Sequence, residues 1–229
     1  MDRNKKTIII TVCCSILFCF ACCNCNDALI PGTGGRVQSP VDFNGNGIDD
    51  YGDILAGARA DALNRPTYDD SYWEGGYPPD DIGVCTDVIW RAFREAGYSL
   101  KLMVDKDVHD APAVYAAYVT VPDSNIDFRR VVNLNIFFKR HAISLTLDPA
   151  ETEEWQPGDI VVFSSLKNRA SHIGIISDKR NENGVAYVIH NGDQVEREED
   201  YLYREKIVGH YRFDASLVDE SLLIPWEGK

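Results

Sequence analysis

The 229-residue chain carries 36 Asp and Glu against 23 Lys and Arg, a formal net charge of −13, and 45% hydrophobic residues. That length buries a sizeable core as one domain. The acidic balance excludes nucleic acid and anionic lipid as partners of the whole surface.

Arg3, Lys5 and Lys6 precede an apolar run, Thr7 to Phe20, that is short for a membrane span and gives way to polar chain. Residues 1–26 therefore read as an export signal, with an uncleaved membrane anchor as the alternative. Six of the seven cysteines (Cys13, Cys14, Cys19, Cys22, Cys23 and Cys25) lie in this stretch, and Ala21-Cys22 resembles a bacterial lipoprotein processing site. Lipid on Cys22 holds an exported protein at a periplasmic or cell-surface membrane face while the folded part stays in water. Beyond the signal only Cys85 remains, so no disulfide framework is expected.

Residues 27–53 read as a linker that ends in "DFNGNGIDDYGD". Its oxygen-bearing positions have the 1, 3, 5, 7, 9, 12 spacing of an EF-hand-type loop, with glycine at position 6. Asp42, Asn44, Asn46, the Ile48 carbonyl, Asp50 and Asp53 are the expected calcium ligands, and Gly47 permits the sharp turn. An ion-free surface turn is the alternative. Asp in place of the usual Glu at position 12 predicts weak binding, with the ion stapling the linker to a helix over Ile54–Leu63.

Residues 54–229 read as one α+β domain. Helices are expected over Cys85–Ala96, closed by Gly97, and over Asp107–Tyr118 and Val131–His141. Past Trp155 the runs "GDIVVFSS", "SHIGIISD", "VAYVIHNG" and "KIVGHYRF" predict an antiparallel sheet.

Cys85 stands at a helix start, where unpaired N–H groups and the helix dipole favour a thiolate and can hold an oxyanion. His172 opens one predicted strand and His190 closes the next, so a hairpin around "KRNENG" brings the two imidazoles to one face as base and orienting group. A buried structural cysteine with two structural histidines is the alternative. His109, His141 and His210 receive no role, although "GHYRF" lies near the end of the proposed sheet. Tyr77, Asp87, Arg129 and Arg130 are candidate substrate contacts, the arginines as a carboxylate clamp or as partners of Asp123 and Asp127.

"GVCTDV…RAFREAG", "WQPGDIVVF", "SHIGIIS" and "VIHN", in this order over residues 75–213, resemble the papain-like NlpC-type cell-wall cysteine peptidases. With "PPDDIGVCTDVIWRAFREAGYSL", "NIDFRRVVNL" and "GHYRF" the chain more closely resembles a bacterial family of unknown function related to them. The resemblance implies N-terminal helices packed on a C-terminal antiparallel sheet, with Cys85 as nucleophile, His172 as base and His190 as orienting residue. It implies a monomeric cysteine peptidase or amidase that cleaves an amide in peptidoglycan stem peptides without a catalytic cofactor. Two departures stand out. The usual Asp-Cys-Ser-Gly is Val84-Cys85-Thr86-Asp87 here, which removes the acid before the cysteine that would hold a substrate amine and leaves open whether Asp87 replaces it, and Phe128 sits where the closer family suggests histidine. The rival readings are a non-catalytic surface lipoprotein that binds wall peptides or a protein partner, and a zinc site on Cys85, His172 and His190.

Overall fold

The computed structural model describes residues 35–165, 169–192 and 197–228. The expected export signal and Cys22, the expected lipid site, lie outside these residues. Among them no helix is long and apolar enough to cross a membrane.

The helical half contains α1 (Asp50–Asn64), α2 (Cys85–Glu95), α3 (Leu100–Asp110), α4 (Pro112–Tyr115) and α5 (Val131–His141). The sheet half is built from β3 (Ile143–Ser144), β4 (Ile160–Ser164), β5 (Ala170–Arg180), β6 (Ala186–Ile189), β7 (Glu198–Glu199) and β8 (Lys206–Arg212). These six pair in the order β3-β8-β4-β5-β6-β7, every pair antiparallel. A two-residue parallel pair, β1 (Thr67–Tyr68) with β2 (Ile82–Gly83), closes the loop before α2. The molecule is thus α+β, helices on one face of an antiparallel sheet.

Alternation along the strands sorts the two faces. Ile160 and Val162 of β4 and Ile173 and Ile175 of β5 meet Val88, Ile89, Ala92 and Phe93 of α2 in the main core. Val161, Phe163, Ile176 and Val188 form a second core on the opposite face with Trp155 and Leu202. α2 forms because its apolar residues recur at helical spacing, and it stops at Gly97, whose φ of 89° only glycine adopts without strain.

Two expectations are corrected. The helix expected over Asp107–Tyr118 is in fact the end of α3 followed by the short α4. Pro112 cannot continue a helix from α3, because it has no N–H to donate and its ring disfavours helical geometry in Ala111, which sits at φ −133°. The domain also begins earlier than residue 54. Val37 N donates to Gln156 Oε1, Asp50 N to Val41 O, and α1 starts at Asp50 within the calcium-type loop.

One buried ion pair ties the α2 start to the turn before α5. Asp87 accepts from Arg129 Nε at 2.8 Å and Nη2 at 2.9 Å, from Val84 N at 2.7 Å and from Trp90 Nε1 at 2.7 Å. Both side chains are at most 1% exposed. Removing one partner strands a buried charge, so Arg129→Met is expected to cost about 3–5 kcal/mol in urea unfolding, and Asp87→Leu with Arg129→Met together less than either alone.

Candidate functional site

Cys85, the first residue of α2, is 5% exposed. Its Sγ accepts from the N–H of Ile173 on β5 and from those of Thr86 and Cys85 itself. The thiol therefore rests against the strand one residue past His172, ringed by backbone donors. Among the described residues no hydrogen bond joins Cys85 to His172.

The imidazoles meet across a bare position. Ile175 pairs with Ile189 and Ile176 with Val188, so His172 and His190 share one face on a diagonal that crosses Gly174. A Cβ on Gly174 would fall 2.6 Å from Val188 and 3.2 Å from His190 Cβ, so glycine is needed for the close approach. His172 Nε2 lies 2.8 Å from His190 Nδ1, and Tyr201 packs on both rings. That bond engages Nε2 and leaves Nδ1 as the other ring nitrogen of His172. The next residue, Asn191, donates to Gly83 O at 3.0 Å and so ties the end of β6 to the loop entering α2.

Burial sets the charge state. It pushes the Cys85 thiol up to about 12, against the pull of the Ile173 N–H, and the nearby Asp87 carboxylate adds to the rise. The thiolate expected at a helix start is therefore not the resting form, because desolvation outweighs the helix-end donors. Burial likewise lowers His172, and it lowers His190 to about 3 with help from the charges of His172, Arg197 and Arg204. Thiol and imidazoles are all neutral at rest.

Glu199 completes the row and escaped the sequence reading. Its pairing with Val188 puts it on the His190 face, where Oε1 lies 3.2 Å from His190 Nε2, off the line of a hydrogen bond, while Oε2 takes Arg204 Nη1 at 2.6 Å. Nothing in "EREED" marks which acid turns inward.

The four proposed substrate contacts separate. Asp87 and Arg129 are consumed by each other inside the protein, so neither reaches a substrate. Arg129 pairs with Asp87, 42 residues away, and not with Asp123 or Asp127. Tyr77 packs among Trp90, Phe128 and Trp226. Tyr77 also lines a cavity of about 360 Å³, while Arg130 reaches one of about 780 Å³ and its Nη1 donates to Asp127 Oδ1 at 3.1 Å. His210 does not line the site: it stacks on Trp155 and bonds Thr146 O and Asp159.

A domain of unknown function, DUF1287, matches residues 55–213. The chain belongs to that family. The uncharacterized protein YijF of Escherichia coli (strain K12) is 34% identical over 205 residues, covering 87% of this chain and 95% of its own. No solved structure matches. The matched DUF1287 stretch takes in Cys85, His172, His190 and Glu199 and leaves out the calcium-type loop.

In that loop Asp42 accepts from Asn46 N and Gly47 N, and Asp53 accepts from the side-chain amides of Asn44 and Asn46. Asp50 is drawn away from the loop centre. Its carboxylate takes Phe43 N and the Tyr98 hydroxyl, and burial raises its pKa. Among the described residues no group of three or more His, Cys, Asp or Glu is arranged to hold a metal.

Two outcomes follow from the burial. Iodoacetamide should alkylate native Cys85 at pH 7.5 more than about a hundredfold slower than free cysteine; a fast reaction would contradict a sealed thiol. Above pH 6.5, His190 is neutral folded or unfolded. As pH falls from 6.5 toward 3, only the unfolded chain takes its proton, so stability falls. His190→Gln should remove part of that slope in urea unfolding between pH 7 and pH 5.

Proposed function

We propose that this protein is a cysteine peptidase or amidase with a papain-like, NlpC-type arrangement, acting on peptidoglycan stem peptides outside the cytoplasm. The observation that carries the reading is the His172–His190 pair, hydrogen-bonded at 2.8 Å on β5 and β6, with the Cys85 thiol held at the α2 start by the N–H of Ile173, the residue after His172. Asn191 and the Ile173 N–H add two ties between the strands and the nucleophile loop. The helix-first, sheet-second order of the fold agrees with it.

Because the resting thiol is protonated, the reading requires proton transfer during attack. His172 Nδ1 takes the Cys85 proton as Sγ adds to the amide carbonyl, and the backbone donors around Sγ face the developing oxyanion. The C–N bond breaks as His172 protonates the leaving nitrogen. His172 then takes a proton from water, whose oxygen attacks the thioester, and the acid leaves with Cys85 reprotonated. For Nδ1 to act as base, the neutral His172 must carry its proton on Nε2 and donate to His190 Nδ1. His190 then bears its own on Nε2, toward Glu199. Glu199 is thereby a positioning residue for both rings.

The second reading, a non-catalytic lipoprotein that binds wall peptides or a partner protein, draws support from the sealed thiol. The zinc alternative fits less well, because two ring nitrogens 2.8 Å apart face each other instead of a shared ion.

The loop before α1 supports a separate proposal of a weak structural calcium site. Asn44, Asn46 and Asp53 converge, and the 2%-exposed Asp53 carboxylate has only those two amides as described side-chain partners. Asp50 is dropped from the ligand set as a direct ligand. The protein is otherwise held at a membrane only through lipid on Cys22.

With purified stem peptides, Cys85→Ala should abolish turnover at unchanged melting temperature; retained turnover removes the nucleophile assignment. Glu199→Gln should lower kcat by about 10- to 100-fold, the scale of a general-base contribution, and shift the acid limb of the rate profile. Wild-type activity should persist below pH 6.5, because the lowered His172 stays neutral there. Calcium at millimolar concentration should raise the melting temperature, and Asp53→Ala should cancel the rise.

A further inference from the structure

A cavity of about 780 Å³ lies beside the candidate site, lined among others by Tyr118, Arg130, Val131, Val132, Arg169 and Ser171. Two of its lining residues adjoin, along the chain, residues of the candidate site or of its support. Ser171 immediately precedes His172, and Arg130 follows Arg129, whose carbonyl accepts from Thr86 Oγ1 at 3.1 Å, next to Cys85. Ala170 and Val131, on the cavity wall, pack against the same apolar cluster that holds Cys85.

Its charge runs against the rest of the molecule. In a chain with net charge −13, the described lining holds two arginines and no carboxylate. Arg130 is held in place from one side by Asp127, which is 1% exposed and also accepts from Asp123 N at 2.8 Å. Arg169 lies over the Tyr118 ring at 5.3 Å, a cation–π contact that fixes the guanidinium without neutralising it. Two positioned guanidinium groups and a hydroxyl form a receptor for a planar anion.

We propose that this cavity is the substrate-recognition subsite and takes a carboxylate of the peptide whose amide is presented to Cys85, so that the enzyme requires an acidic peptide. The proposal rests on the amide-hydrolase reading for the identity of the peptide, while its binding chemistry stands on Arg130 and Arg169. It assigns to Arg130 the clamp that Arg129, locked on Asp87, does not supply, and it adds Arg169 as the second arm.

The test titrates the full chain carrying Cys85→Ala, by calorimetry, with stem peptides released from peptidoglycan and with the same pool after its carboxyl groups are amidated. The native pool is expected to bind at least tenfold more tightly, and Arg169→Gln or Arg130→Gln to remove most of that difference, each charged hydrogen bond being worth about ten- to a hundredfold. Arg169→Gln is the safer variant, since its side chain has no buried acid to strand. Equal binding of the two pools, binding of neither, or arginine-dependent binding of inorganic phosphate that displaces the peptide overturns the proposal. Turnover by the unsubstituted chain keeps the two ideas apart. Cleavage of both pools at equal rates leaves the hydrolase standing and removes the carboxylate subsite. Discrimination in binding with no cleavage of either pool keeps the subsite and removes the hydrolase.

Discussion

The buried carboxylate of Asp87 is the constraint on which the rest of the site depends. Four donors from three parts of the chain converge on it: the backbone before α2, the indole one turn along, and both faces of the Arg129 fork. It caps the Val84 N–H at the helix start, as a carboxylate at the third helical position does. It also draws in the turn at Asp127–Arg129, from which α5 leaves. The position of Cys85 against β5 and the position of Arg130 at the cavity edge are both consequences. A charge buried this deeply is held less for net stability than for register, since any shift of either segment leaves it unpaired.

Desolvation decides the chemistry that this geometry permits. A thiol at a helix start with donors on Sγ would ionise readily in water-accessible surroundings. Here burial outweighs the donors, and the carboxylate that orders the helix opposes ionisation as well. The same burial holds both imidazoles neutral. The row from His172 through His190 to Glu199 and Arg204 is therefore a set of tautomers, with formal charge only at its far end. Such a site stores its nucleophile in the uncharged form and develops charge only when a carbonyl accepts it.

The main elements were legible because their signals are local. α5 runs Val131–His141, the span its apolar spacing predicts; β4, β6 and β8 lie within three of the β-rich runs after Trp155, and β5 overruns the fourth by Ala170, Lys179 and Arg180. α3 was not legible, because "LKLMVDKDVHD" mixes charged and apolar residues without a clean face, and Pro112 then broke the helix expected beyond it. The His172–His190 diagonal could be anticipated from strand parity alone. The roles of Asp87, Arg129 and Glu199 could not. Asp87 and Arg129 meet across 42 residues of intervening chain, and Glu199 turns inward only through a two-residue strand set by its pairing with β6.

The distribution of arginine links fold and function. Arg91 is paired with Asp61, Arg129 with Asp87, Arg140 with Asp107 and Arg212 with Asp159, each across a long stretch of sequence. An acid excess makes such pairing easy, since nearly any buried guanidinium finds a carboxylate nearby. Arg169 departs from that pattern: its described contact is an aromatic ring. Arg130 departs in part, with its side chain 42% exposed and one edge on Asp127. A protein that pairs four guanidinium groups with carboxylates in this way, yet sets Arg130 and Arg169 around one cavity, has kept positive potential where an anionic substrate would meet it. Against the acidic exterior, that cavity is one place on the described surface where guanidinium groups line an opening that no carboxylate lines.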